Sequence, residues 1–178
     1  FLSDMHPIRN ESEAKDFIKR VNLIKKLYTG VLADLEEQAD AGIFPPEFVY
    51  DHVINQLSDF INYDYNEHPL YTQFLRKVKE LNLSVEKEKL YEEQIKIAID
   101  ESVTPGFKIL RDFMMQTKQY ANKNHGIWSQ PNGDEYYKLR IRSYTTTDYS
   151  PEEIHQMGLE EVDRISSRMR EILSELGY

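Results

Sequence analysis

The chain has 178 residues, 22 Lys plus Arg against 31 Asp plus Glu, a formal net charge of -9, 40% hydrophobic residues and no cysteine. This length suits one domain with a buried core, and the composition excludes wholesale disorder; seven Gly and seven Pro are too few for a loop-rich all-β chain. The acidic balance, with a pI near 5.1, argues against nucleic acid as a partner, and the missing thiols exclude disulfides, a thiolate nucleophile and Cys-based metal sites.

Hydrophobic periodicity predicts an all-α helical bundle, with long, partly kinked helices and one irregular loop segment around 122–150. In the first run, Asn10 to Gly42, Asn10 is set to cap and Glu13 to complete a capping box. Ala14, Phe17, Ile18, Val21, Ile24, Leu27, Tyr28, Val31, Leu32 and Leu35 recur every three or four residues on one helical face. Gly30 suggests a close backbone approach, and Gly42 a stop.

Pro45 and Pro46 open the second helix, with Val49, Val53, Leu57, Phe60 and Ile61 as its buried face and 62–66 as its end. A short third helix starts near Pro69, with Leu70, Phe74, Val78 and Leu81 inward. Ser84 begins a long fourth stretch to about Asn122, lined by Leu90, Ile95, Ile99, Val103, Phe107, Leu110 and Met114. Pro105-Gly106 predicts a kink or break within it, because proline removes a backbone bond and clashes with the preceding turn.

From Asn122 to Asp148 turn residues alternate with Trp128, Tyr136, Tyr137 and Tyr144. The segment allows a hairpin turning at Asn132-Gly133, or a loop followed by a helix capped by Asp134; the second is favoured. The last helix is clearest. Ser150-Pro151-Glu152-Glu153 combines an N-cap, proline at the first helical position and Glu at the third. Ile154, Gly158, Val162, Ile165, Met169, Ile172 and Leu176 then repeat at helical spacing up to Gly177.

No apolar run approaches the ~18 residues of a membrane span, so no direct membrane insertion is expected. The absence of a basic amphipathic helix also argues against a membrane-surface role. The chain starts at Phe1 rather than Met, which raises the expectation of an upstream leader or lipid anchor.

The five histidines, His6, His52, His68, His125 and His155, show neither a helical spacing of four nor an H-E-x-x-H pattern. No metal ligand is therefore assigned, and no cofactor is expected in this chain. Surface or capping roles are expected of them instead, with His155 neutral and packed or hydrogen-bonded in a first helical turn. There is no G-x-S-x-G elbow, P-loop or G-x-G-x-x-G. Acidic pairs such as Glu92-Glu93, interleaved with Lys89 and Lys96, suit a solvated helix face.

Tyr137, Arg140 and Tyr144 fall three and four apart, hence on one face if helical, with Arg142 pointing elsewhere. Arg can grip a carboxylate with two parallel bonds and Tyr supplies hydroxyl donors, so this face suits a carboxylate or a peptide backbone. The competing reading is an amphipathic layer, with packed rings and hydroxyls at the rim.

The same segment carries a resemblance. Gly126-Ile127-Trp128, Pro131-Asn132-Gly133-Asp134, Tyr136-Tyr137, Arg140, Thr145-Thr146-Thr147-Asp148 and Ser150 through Leu159 together resemble the bacterial domain-of-unknown-function family eight-eight-five, whose members are predicted metallopeptidases and lipoproteins. His6-Pro7-Ile8-Arg9, Gly42-Ile43-Phe44-Pro45-Pro46 and His68-Pro69-Leu70-Tyr71 agree, so the resemblance covers nearly the whole chain. The run from Ser150 is also similar to one in the carboxypeptidase Taq and oligopeptidase groups, mainly helical zinc enzymes. Ser150 stands where that motif commonly has Thr.

The resemblance implies an N-terminal, non-catalytic part of a longer zinc-dependent peptidase-like hydrolase acting on peptides. In that family an H-E-x-x-x-G-H-like zinc helix lies well downstream, and no zinc ligand or general-base Glu transfers to any position here. Zinc is expected in the full-length protein, where it would polarise the scissile carbonyl and activate water. The implied partners are the C-terminal catalytic half of the same protein and a peptide substrate. Tyr137, Arg140 and Tyr144 are the candidate substrate-positioning residues. An upstream signal would make the protein an extracytoplasmic lipoprotein. The alternative is a non-enzymatic helical binding or scaffold module.

Overall fold

The structure, a computed structural model, describes residues 5–178; Phe1, on which the expectation of a leader rests, lies outside them. The chain is all-α: among the described residues there is no strand, only an isolated bridge between Pro46 and Asn122. The helices are α1 (Glu11–Asn22), α2 (Ile24–Asp40), α3 (Glu47–Asn62), α4 (Pro69–Lys79), α5 (Val85–Ala98), α6 (Thr104–Thr117), α7 (Gly133–Thr145) and α8 (Pro151–Glu175). A π-helical segment, Ile99–Val103, joins α5 to α6, and 3-10 turns occupy Lys118–Tyr120 and Ile127–Ser129. Contacts divide the chain into two compact units, Phe1–Asn124 and His125–Tyr178.

In the first unit, the apolar run predicted as one helix from Asn10 to Gly42 is two. Asn10 caps α1 by accepting the Glu13 N–H at 3.0 Å, and Glu13 in turn accepts the backbone N–H of Arg9 rather than that of Asn10. The helix stops at Asn22, and Leu23 leaves helical pairing to start α2. Gly42 ends the run as expected: its φ is +75°, Ile43 N–H bonds to Gln38 and Gly42 N–H to Ala39, a Schellman stop.

The break at Leu23 lets one face turn toward the core while α2 follows another neighbour. Ala14, Phe17 and Val21 of α1 are fully buried against Phe74 and Val78 of α4 and against Tyr91, Ile95 and Ala98 of α5. Phe17 stacks on Phe74 with centroids 5.0 Å apart. In contrast, α2 buries no residue completely and packs on α6, as does α3. There Phe107 links them, stacked on Phe60 at 4.3 Å and edge-on to Tyr28 at 5.0 Å.

Several face assignments shift. The expected inward face of α3 is only half-buried, and the fully buried residue is Tyr50, which sequence reading passed over. In α5, Leu90 is exposed and its neighbour Tyr91 takes the core position. Gly30 has open space around its Cα. The close backbone approach occurs at Gly106, where an added Cβ would lie 3.0 Å from the Tyr28 ring and 3.2 Å from Lys25 Cα.

The expected irregularity at Pro105 is present, though not as a break. The chain widens into π geometry over Ile99–Val103 just before it, so the missing proline N–H and the bulk of the ring are taken up by the wider turn. Ile99 and Val103 still face the core.

The loop-and-helix reading of 122–148 holds, with the helix, α7, in the second unit. The cap does not: Asn132, with φ +54°, precedes α7 without a side-chain bond, and Asp134 sits inside the first turn. Both halves of the Ser150–Glu153 capping box form at α8, and Gly177 ends that region with φ +82°. Yet α8 buries no residue, and Val162, Ile165, Met169 and Leu176 of its apolar face are exposed.

Candidate functional site

The candidate site lies within the second unit and starts from a self-tied loop. Ser129 Oγ donates to the Gly126 carbonyl at 2.7 Å, Gln130 N–H bonds to Ile127 and Gly133 N–H to Gln130. Gly133 is required by space: a Cβ there would sit 1.9 Å from the Ile127 carbonyl oxygen. At Gly126 a Cβ would strike the Trp128 indole at 1.9 Å, so the ring lies directly over that glycine. The loop therefore presents Trp128, 64% exposed, beside the start of α7.

Two adjoining hollows open on this surface. One, of about 600 Å³, is lined by Gly126, Ile127, Trp128, Asp134, Tyr137, Lys138, Pro151 and Glu152. The other, of about 490 Å³, is lined by Tyr137, Arg140, Ile141, Tyr144, Thr145, Pro151, Ile154 and His155. Tyr137 and Pro151 form part of both. Helix α7 supplies one wall, and the first turn of α8 the other.

Tyr137, Arg140 and Tyr144, placed on one face by their spacing, all line the second hollow. Arg140 Nη2 donates to the Tyr144 hydroxyl at 2.5 Å, and the guanidinium carbon lies 4.6 Å from the Tyr144 ring centroid. The packed-ring alternative does not describe these tyrosines, which are 49% (Tyr137) and 76% (Tyr144) exposed. Arg142 points away from them and pairs with Asp148 at 3.2 Å. His155 is exposed rather than packed, on the rim of the hollow. At the start of α8, bonds from the Ser150 backbone and hydroxyl hold the Glu153 carboxyl below its ordinary range.

Trp128 was read from sequence as the start of an aromatic and basic cluster reaching Tyr144, but Lys138 and Glu152 were not singled out. The only available signal was the single tryptophan two residues after a glycine in a turn-rich segment. Among the described residues, no group of three or more His, Asp or Glu side chains converges as a metal site. Two histidines of the first unit are occupied structurally. His68 Nδ1 accepts the Leu70 N–H at 3.2 Å and caps α4. His6 is buried between Arg20, 2.6 Å from Nδ1, and the Glu13 carbonyl, 3.2 Å from Nε2.

The family model described as bacterial protein of unknown function (DUF885) matches residues 1–178. The chain belongs to that family. The fold is also similar to the crystal structure of "the putative lipoprotein from Colwellia psychrerythraea", with a TM-score of 0.90 and 30% sequence identity. That similarity covers 99% of this chain and 30% of the Colwellia psychrerythraea chain, so this DUF885 chain spans less than a third of the length of that protein. No curated protein matches the chain. No helix among the described residues is long and apolar enough to cross a membrane.

Proposed function

We propose that this DUF885 chain is the non-catalytic, N-terminal helical part of a zinc-dependent peptidase-like hydrolase that acts on peptides. The observation that carries the reading is the uncovered apolar face of α8, from Met157 through Leu176. A twenty-five-residue helix that buries no side chain calls for a covering surface, and the C-terminal catalytic half of the same protein supplies one. Among the described residues no three His, Asp or Glu side chains converge; in this reading the zinc ligands belong to that other half. The hollows of α7 then form one wall of a peptide cleft, with Tyr137, Arg140 and Tyr144 positioning substrate. The lipoprotein description of the similar Colwellia psychrerythraea structure supports an extracytoplasmic location.

The test compares the chain with its full-length parent. Metal analysis and a peptide-library assay should find no stoichiometric zinc and no cleavage for the short chain, and both for the long one. Cleavage by the short chain defeats the division of labour; an inactive, zinc-free parent defeats the peptidase assignment.

A second reading, a helical binding or scaffold module, is favoured by the same α8 face, since a partner helix could cover it equally well. Under that reading Arg140→Ala weakens a partner contact and leaves peptide turnover by the parent protein untouched. Under the first, turnover falls.

A further inference from the structure

The second unit neutralises most of its basic side chains locally. Lys138 pairs with Glu135, Arg142 with Asp148, Arg164 with Glu161 and Arg168 with Glu171. Arg140 differs. No carboxylate among the described residues pairs with it, and its contacts are the ring and hydroxyl of Tyr144. In a chain of net charge -9, a guanidinium left without an acid inside a hollow is conspicuous. The Tyr144 contact also reduces the freedom of a long side chain, so less entropy is lost when a ligand binds.

We propose that this hollow binds a carboxylate that carries an aromatic or similarly flat apolar substituent. The carboxylate lies against Arg140, which keeps N–H donors beyond the one given to Tyr144. The Tyr144 hydroxyl accepts from Arg140, so its own O–H remains to be donated to the ligand. His155 on the rim offers a further ring nitrogen. The substituent extends past Tyr137, which lines both hollows, toward Trp128, where stacking on the exposed indole covers apolar surface. The inference rests on the reading of Tyr137, Arg140 and Tyr144 as ligand-positioning residues, but requires neither zinc nor the other half of the protein.

The chain has one tryptophan, and it lines the neighbouring hollow, so its fluorescence reports occupancy directly. The 178-residue chain is titrated with N-acetyl-phenylalanine, with the uncharged N-acetyl-phenylalaninamide and with phenylpropionate. The acids should give a saturable change in Trp128 emission, with the amide about tenfold weaker or more, as expected for loss of one charge-assisted contact. Arg140→Gln should abolish that preference for acids. Arg140→Lys, which keeps the charge and loses the planar fork, should retain only part of it.

Arg140 is exposed, so the variants should keep the parent's circular dichroism. Tighter binding of N-acetyl-phenylalanine than of phenylpropionate identifies a peptide end as the natural source, and the reverse a simple aromatic acid; either supports the site. Equal binding of acid and amide, unchanged affinity in Arg140→Gln, or no saturable signal overturns it. None of these results depends on whether the parent protein cleaves peptides.

Discussion

The Ser102 hydroxyl accepts the backbone N–H of Lys25 at 3.1 Å, across 77 residues of sequence. Lys25 is the second residue of α2, and an N–H in the first turn of a helix has no partner within that helix. No side chain at Leu23 caps α2; the cap comes from the π segment, where Ser102 is buried. One hydrogen bond thus ties the break between α1 and α2 to the widened turn ahead of Pro105. Ser102→Ala should lower stability by about 1 kcal/mol, the net worth of one part-buried hydrogen bond. Urea denaturation should show a lower midpoint with an unchanged slope; a midpoint equal to the parent's refutes this role.

The glycines should separate cleanly. Gly30 lies within α2 with open space around it, so Gly30→Ala should stabilise the chain by about 0.5–1 kcal/mol through lower unfolded-state entropy. Gly133→Ala should be strongly destabilising locally, because its Cβ would meet the Ile127 carbonyl at 1.9 Å. Thermal melts report the first change, and Trp128 emission reports displacement of the loop by the second.

His68 should make the first unit acid-sensitive. It is buried, its Nδ1 accepts from Leu70, and Nε2 has no hydrogen-bond partner. The ring sits edge-on to Phe60 at 4.7 Å. Burial lowers its pKa from the ordinary value of 6.5. The unfolded chain therefore takes up the proton more readily, so the stabilising contribution is present above the unfolded pKa and is lost as pH falls through the folded one. Denaturation midpoints measured on descending through that window should fall less in His68→Asn, which keeps a capping oxygen and cannot titrate. Parallel curves for the two proteins refute the assignment.

Phe74 is fully buried, stacked on Phe17 and edge-on to Tyr91 at 6.1 Å. Phe74→Ala should cost about 3–5 kcal/mol through lost contacts and the cavity left behind. Phe74→Leu, which refills most of the space, should cost less. Both are read from denaturation curves, and equal losses would mean the site collapses freely.

The exposed α8 face predicts self-association of the isolated chain, since Val162, Ile165 and Met169 leave apolar surface in water. Light scattering should show species larger than a monomer, shifted toward monomer by Ile165→Lys. A clean monomer of the isolated chain at high concentration refutes this.

Helix starts and stops were readable because they depend on neighbours in sequence. Asn10, Ser84 and Ser150 cap helices through bonds to residues three positions on, while Gly42 and Gly177 end runs where positive φ is needed. The shared face of Tyr137, Arg140 and Tyr144 followed from helical spacing in the same way. Burial and long-range pairing did not. The break at Leu23, the core position of Tyr91 instead of Leu90, and the close approach at Gly106 instead of Gly30 were settled by how α1 packs on α5 and α2 on α6. The same apolar period occurs in α1 and α8, yet Phe17 is sealed in the core and Val162 lies in solvent. Periodicity specifies a face that can be buried; only the element packed against it determines whether water is excluded.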